Sequence, residues 1–455
     1  MADSIAPEIF RQYDIRGVVG DTLTEDSMRR IGRAYGTYIQ TQTGPTIVTG
    51  RDLRPSSEML QAALIEGLVA AGCHVINVGR APTPVIYYAI GQFCGDGGVI
   101  VTASHNPVQY NGVKSRKLDR PLFGDELAKV RDIACAGEFR QGSGSVEERE
   151  ILPSYMDCVM GKFALGGRFH VVIDAGNGAA ALTAEQVLSQ IGAKVTTLYC
   201  TPDGSIPREP DPTKRGALED LKARVLAGGA DLGVAFDPDG DRLQVLDHTG
   251  AGMSCDLTVL PICRDVLSRG SRTIVSEVRC SQTLIDDVRN HGGVFHMTAC
   301  GYPYILQGMA ERGGSIGTET SGHCYFDDPD IRFDDAVYAA CRLIQALLAS
   351  GKTMRQHVVD APEYHSTPEE RWHCEEKAKF AIVQSAIDRF LALGLDAITL
   401  DGIRLQYPDG WGLVRASNTG PELTMRFEGR TPEARDRIRD EMQGALRGVM
   451  DGVQS

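Results

Sequence analysis

Residues 99–114 read Val-Ile-Val-Thr-Ala-Ser-His-Asn-Pro-Val-Gln-Tyr-Asn-Gly-Val-Lys. The apolar run Val99-Ile100-Val101 predicts a buried strand, and Thr102 to Pro107 is a stretch that neither a strand nor a helix favours. Ser104 is therefore expected on a loop at the carboxyl end of a strand, the place where ligands collect in open α/β sheets. His105 can donate or accept a proton there, and Lys114 adds a positive charge. Taken alone, the stretch reads equally well as a polar turn held by Ser and Asn side chains bonded to backbone.

Working outward, the alternation around this strand is that of a layered α/β domain. Helices are expected at 27–40, 56–71 and 84–93, and strands at 46–49, 74–78 and 98–102. The Tyr13-Asp14-Ile15-Arg16-Gly17 segment reads as a polar turn carrying a guanidinium. A second cycle follows: strand 169–173, helix 179–191, strand 194–198, helix 217–227 and strand 232–236, which ends in Asp237-Pro238-Asp239-Gly240-Asp241-Arg242. A third has helices at 256–269, 281–291 and 304–312 and strands at 273–275, 294–298 and 315–317, the last opening into Thr318-Glu319-Thr320-Ser321-Gly322-His323. These are read as three copies of one architecture whose late loops face one cleft. Residues 362–375 read as a linker at which the last domain turns to close on its ligand. Beyond it the rhythm changes to helix, several strands and a closing helix at 432–450. Four domains result, at 1–150, 151–253, 254–362 and 363–455.

At 455 residues the chain is too long for one core. A hydrophobic fraction of 42% and a charged fraction of 24% exclude the disordered classes. No stretch approaches the ~20 apolar residues of a membrane span, and the first twenty residues lack the pattern of a signal peptide, so a cytoplasmic protein is expected. The twelve cysteines never form C-x-x-C, which argues for free thiols in place of a zinc or redox pair. A net charge of −13 argues against nucleic acid as a partner, while leaving room for small anions held by a few focused cations.

Asp237, Asp239 and Asp241, at alternate positions on a tight loop, offer hard oxygen ligands that suit Mg²⁺ or Ca²⁺, with Mg²⁺ favoured beside phosphate. An EF-hand also begins Asp-x-Asp-x-Asp, but here the sixth residue is Arg242, the twelfth is His248 and a strand precedes the loop. Three bunched carboxylates repel one another unless a cation is present. In the last domain, Trp411 to Glu422 reads as a strand opening into small hydrogen-bonding residues behind Arg415, a composition that suits a phosphate.

Four motifs, the Ser104 stretch, the Asp237 to Arg242 loop, Glu319-Thr320-Ser321-Gly322-His323 and Arg415-Ala416-Ser417-Asn418-Thr419, stand in the order and spacing of the α-D-phosphohexomutase family. The chain resembles the bacterial phosphomannomutase/phosphoglucomutase branch over nearly its whole length. The resemblance implies a four-domain, heart-shaped α/β enzyme with three similar mixed α/β domains and a C-terminal α+β domain. It implies that Ser104 is the phosphoserine, with Mg²⁺ held by its phosphate and by Asp237, Asp239 and Asp241. Glu319 and Ser321 would hold sugar hydroxyls, with His323 and Arg242 nearby. Arg415, Ser417, Asn418 and Thr419 would clasp the phosphate not being transferred, and Arg16, His105 and Lys114 would line the transfer site. The implied reaction interconverts hexose 1-phosphate and hexose 6-phosphate, of mannose or glucose, through a hexose 1,6-bisphosphate. His105 and Lys114 are the candidates for the base.

The chain departs from that branch where Arg279 stands for a common lysine and Gly301-Tyr302 for a common Gly-His pair. Both positions are expected near the substrate. Tyr302 removes a group that can be cationic, and Arg279 keeps charge with a different geometry. A phosphoglucosamine mutase is the alternative within the class, and a non-catalytic sugar-phosphate sensor the alternative outside it. Sugar phosphates are the expected partners, no nucleic acid or membrane is, and a monomer is favoured.

Overall fold

The computed structural model describes residues 5–454 except 119, 167, 393, 418 and 419. Two compact units form, one of Met1–Thr258 with Ser321–Met354 and the other of Val259–Thr320 with Arg355–Ser455.

The first sheet of the first unit is built around Gly97–Val101, buried at every position. Complete burial of Val99, Ile100 and Val101 contributes roughly 1.5–3 kcal/mol for each side chain, which anchors the loop that follows. The sheet runs Ile15–Val18, Tyr110–Lys117, Gly97–Val101, Thr46–Arg51, His74–Arg80 and Ser145–Glu148. Helices Glu25–Gln40 and Ser57–Ala70 cross through glycines: a Cβ on Gly32 would lie 2.3 Å from the Leu64 carbonyl oxygen, and one on Gly67 2.1 Å from that of Arg29. The first of them starts in a capping box between Thr24 and Ser27.

The three α/β copies share a kernel of parallel strands in which the first strand in sequence lies between the second and the third. Thr46–Arg51 pairs with His74–Arg80 and Gly97–Val101. His170–Asp174 pairs with Lys194–Leu198 and Leu232–Phe236. Thr273–Glu277 pairs with Val294–Thr298 and Gly314–Thr318. The antiparallel strands beside the kernel were missing from the sequence reading. Tyr13 to Gly17 is not a free turn, because Ile15–Val18 pairs antiparallel with Tyr110–Lys117 and sets Arg16 opposite Gly112. Leu243–Asp247 likewise pairs back on Leu232–Phe236. These antiparallel strands carry mixed polar sequence, and only pairing reveals them.

Two expected helices are broken. Residues 179–191 divide into a 3-10 turn, Ala179–Leu182, and a helix, Ala184–Gln190. Residues 256–269 divide into Cys255–Thr258 and Leu260–Ser268, where Pro261 in the first turn of the second piece has no N–H to continue the first. The linker reading of 362–375 is also corrected: His365–Ser366 and Glu370–His373 are strands paired with Glu422–Gly429, so a turning point cannot lie within them. Two Pro and a run of Glu disguised strands at a sheet's edge.

That last sheet is antiparallel and is completed by Ile403–Tyr407, Gly410–Ala416 and Ala397–Ile398. Its core joins Leu405, Val414 and Phe427 to Ile382 and Phe390 of helix Lys379–Leu391 and to Ile438, Met442 and Leu446 of helix Pro432–Gln454. Within the second unit, this sheet grips the loop after Thr273–Glu277. The Arg404 guanidinium lies 3.6 Å from the Trp411 ring centroid and donates to the carbonyls of Val278 and Cys280 at 2.7 Å each. Glu428 accepts from Trp411 Nε1, Ser281 Oγ and the Gln282 amide.

Among the described residues no helix is long and apolar enough to cross a membrane, and the twelve cysteines are unpaired.

Candidate active site

Ser104 stands three residues past the end of Gly97–Val101, buried, with φ of +47°, in the left-handed region that L side chains rarely adopt. Its amide donates to Thr102 Oγ1 at 2.9 Å, and its Oγ donates to Asp237 Oδ2 at 2.7 Å and lies 3.1 Å from His105 Nδ1. A loop of one α/β copy thus meets that of the next. Burial beside Arg242 and Arg16 lowers the His105 pKa well below the imidazole range, leaving the ring neutral.

Asp237 ends the strand Leu232–Phe236, and Gly240, at φ +77°, turns the chain so that all three aspartates point inward. Asp237 Oδ1 accepts the amides of Asp241 and Arg242, which closes the turn on itself. The three are wholly buried, and one oxygen of each lies within 4.8 Å of the others. Lys114 Nζ donates to Asp239 Oδ2 at 2.8 Å and to Asp241 Oδ2; Thr83 Oγ1 also donates to Asp239 Oδ2. Burial alone would lower the Lys114 pKa, but Asp239 and Asp241 raise it well above the ordinary range. Burial and the neighbouring carboxylates raise the Asp237 pKa well above its ordinary value. Asp239 Oδ1 and Asp241 Oδ1 are buried without a hydrogen-bond partner. Two orphaned carboxylate oxygens in a like-charged cluster are what a divalent cation satisfies, so the residues present fit one.

Arg16 and Arg242 border this group. Arg16 pairs with Asp14 at 2.9 Å and reaches the Thr102 carbonyl at 3.3 Å. Arg242 Nε lies 3.0 Å from His323 Nε2, and His323 Nδ1 lies 2.7 Å from Asp334 Oδ2. Burial lowers the His323 pKa, yet Asp241 and Asp334 pull it up to about 9. The first unit therefore brings together Ser104, His105, Lys114, Arg16, Arg242, His323 and the three aspartates. Asp52, Arg54, Thr83, Thr102 and Asp334 join them unforeseen; isolated polar residues in separate loops carry no spacing signal.

In the second unit the residues named from sequence fall into two groups. Glu277, at the end of its strand, is fully buried and accepts from the Arg279 amide and Nε, from the Thr320 amide and Oγ1, and from Cys300 Sγ at 3.0 Å. Arg279 also reaches Glu369 at 3.2 Å. Glu319 follows the strand Gly314–Thr318 and is buried; Ser321, two residues on, is half-buried and opens the return into the first unit. Tyr302 begins the helix Tyr302–Arg312, with Gly301 before it at φ +126°. Near the end of strand Gly410–Ala416, Arg415 Nε donates to Asp401 Oδ2 at 2.9 Å, while its Nη2 is buried and has no hydrogen-bond partner among the described residues. The Ser417 carbonyl accepts from Lys379 Nζ at 2.7 Å, a second cation at this loop that sequence reading missed. Asn418 and Thr419 lie outside the described residues.

Glu277 yields a stability prediction. Burial would raise its pKa, but Arg279, Cys300 and Thr320 hold it at about 2, against an ordinary 4.5. Its contribution is therefore fully present above about pH 4.5 and is lost as pH falls through about 2. A difference of that size corresponds to roughly 3 kcal/mol. Glu277→Gln should reduce unfolding free energy by about that amount at pH 7 and by less than half of it at pH 3, measured by urea titration. An equal loss at both values would assign the effect to packing.

Family models match the chain in four consecutive parts. The phosphoglucomutase/phosphomannomutase alpha/beta/alpha domains I, II and III match residues 7–140, 153–250 and 257–364, and the C-terminal domain matches 369–445. The phosphomannomutase/phosphoglucomutase of Pseudomonas aeruginosa is 41% identical over 452 residues, 98% of this chain and 97% of that protein. A phosphoglucomutase of Neisseria gonorrhoeae is 36% identical, covering 97% of each. Among solved structures, a phosphoglucomutase/phosphomannomutase family protein from Burkholderia thailandensis superposes with a TM-score of 0.92 at 35% identity, covering 98% of this chain and 99% of that one. With a buried serine hydroxyl on an aspartate cluster at the junction of two α/β copies, and full-length likeness to these proteins, the chain belongs to the phosphoglucomutase/phosphomannomutase family of hexose-phosphate mutases.

Proposed function

We propose that the protein interconverts hexose 1-phosphate and hexose 6-phosphate, of glucose and of mannose, with Ser104 as its phosphoryl carrier. The observation that carries this reading is the Ser104 hydroxyl, held 2.7 Å from Asp237 Oδ2, whose loop also takes Lys114 on Asp239 and Arg242 3.9 Å from Asp237 Oδ2. Phospho-Ser104 gives its phosphoryl group to the free sugar hydroxyl: the bond to Oγ breaks, a bond to the sugar oxygen forms and the hydroxyl proton passes to a base. The product is a hexose 1,6-bisphosphate, which turns over and returns its other phosphoryl group to Ser104. His105 Nδ1, 3.1 Å from Oγ, is supported as the base over Lys114, whose ammonium is engaged by two carboxylates. Asp237, Asp239 and Asp241 would hold Mg²⁺ together with the Ser104 phosphate, and the ion supplies charge neutralisation at the transferring group.

Glu319 and Ser321 are assigned to sugar hydroxyls, and Arg415 and Ser417, with Asn418 and Thr419, to the phosphate that stays. The buried Nη2 of Arg415, which has no hydrogen-bond partner among the described residues, supports this assignment, since such a donor is best satisfied by an anion. Tyr302 and Arg279 take the positions that Gly-His and lysine hold in the branch resembled; Arg279 is fixed by Glu277 and Glu369, which keeps its charge in place.

A coupled assay tests the reading. Glucose and mannose differ at the 2-position, and contacts elsewhere on the ring permit both. Efficiencies for glucose 1-phosphate and mannose 1-phosphate should agree within about a hundredfold, less than ~3 kcal/mol apart. A strong preference for glucosamine 1-phosphate would replace this reading with a phosphoglucosamine mutase, and no turnover of any of the three would leave a sensor.

A further inference from the structure

The loop that presents Ser104 is tied from beneath by one side chain far away in sequence. Residues 102–110 bend back between the antiparallel strands Gly97–Val101 and Tyr110–Lys117, and a bend this tight turns successive carbonyls inward, away from water. Four of them converge on the Arg54 guanidinium. Nη2 donates to the carbonyls of Ser104 and Asn106 at 2.6 Å each, and Nη1 to those of Pro107 and Tyr110 at 3.0 and 3.1 Å. Arg54 is 4% exposed, and among the described residues these bonds satisfy the Ser104 and Asn106 carbonyls, while the Pro107 carbonyl also accepts the Tyr110 amide at 3.0 Å. Asp52 steadies the arrangement: Oδ1 accepts the Arg54 amide and the Ser57 hydroxyl, while Oδ2 faces Arg54 Nε at 3.3 Å and accepts Thr102 Oγ1 at 2.8 Å. Thr102 Oγ1 in turn accepts the Ser104 amide. The serine is thus held through its N–H by one branch of the Asp52–Arg54 pair and through its C=O by the other.

This support falls at the strained residue. A serine at φ +47° returns to the ordinary extended or helical regions unless the surroundings fix it. A flip of the Ser104 peptide would break the bond to Arg54 and move Oγ off Asp237. Only a guanidinium has the planar fork that serves four carbonyls at once; an ammonium of the same charge has three donors and no fork.

We propose that Arg54 is the positioning residue of the phosphoryl carrier: by clasping four carbonyls of the Ser104 loop it holds the serine in its left-handed conformation with Oγ on the metal-loop aspartates. It acts on phosphoryl transfer to and from Ser104 and leaves sugar binding alone. The inference rests on the reading of Ser104 as carrier.

Arg54→Lys and Arg54→Ala test it in the full-length chain. Each variant is incubated with glucose 1,6-bisphosphate, phosphorylation of Ser104 is followed by intact mass, and steady-state kinetics are measured with glucose 1-phosphate. Arg54→Lys should lose at least about a hundredfold in kcat, with KM changed less than threefold and the rate of Ser104 phosphorylation reduced by the same factor as kcat. Arg54→Ala should behave likewise and regain at least tenfold in kcat with millimolar guanidinium, a rescue that general destabilisation would not give. A kcat for Arg54→Lys within threefold of the parent overturns the proposal, as does a loss confined to KM. Failure of both variants to fold, judged by circular dichroism, overturns it too, because Arg54 would then be a core residue without a separate positioning role. If the parent chain turns over sugar phosphate without ever carrying phosphate on Ser104, the carrier reading itself fails, which the variants alone would not produce.

Discussion

Ser104→Ala is expected to lose mutase activity by at least ~10³-fold, because the covalent route is removed and no other hydroxyl among the described residues shares its contacts with Asp237 and His105. Intact mass should show the parent chain carrying a species heavier by ~80 Da after incubation with glucose 1,6-bisphosphate, the phosphoryl increment expected of a covalent carrier, and the variant lacking it. The fold should survive, since Ser104 contributes to the loop chiefly through its N–H and C=O, which alanine retains. Turnover of the variant within tenfold of the parent would rule out Ser104 as the carrier. A phosphorylated variant would place the phosphoryl group on another residue.

The second large effect is metal removal. Treatment with EDTA should abolish activity and added Mg²⁺ should restore it. Asp239→Asn should cost at least ~100-fold at saturating sugar and raise the Mg²⁺ concentration for half-activity, since a bound cation contributes several kcal/mol of charge stabilisation to phosphoryl transfer. The amide can still accept from Thr83 and Lys114 through one oxygen, so the loop keeps its closure while losing a ligand charge. Full activity in metal-free buffer would decide against a cation on this loop and leave Lys114, Arg242 and His323 as its counter-charges.

Much of the site was legible because its chemistry is written in contiguous residues. The Asp237 to Asp241 loop needs alternate carboxylates and a glycine at a positive φ, and both are local facts. Ser104 after an apolar run is equally local. What could not be read was the set of antiparallel strands at 15–18, 243–247, 365–366 and 370–373, whose mixed sequence acquires its role only from a partner strand. Reading 362–375 as a linker failed for that reason.

By itself the sequence determined the alternation of strands and helices, the places where strands end in polar loops, and the kind of chemistry each loop can do, because period, turn residues and ligand type are properties of neighbours along the chain. Only the tertiary structure decided which loops meet. It put Ser104 on Asp237, 133 residues away, and Lys114 on Asp239 and Asp241. It drew Arg54 beneath the Ser104 loop and Arg404 beneath the loop of Arg279. Those pairings follow from burial: a carbonyl or a carboxylate withdrawn from water must find its donor wherever the fold brings one, and sequence distance does not enter that requirement.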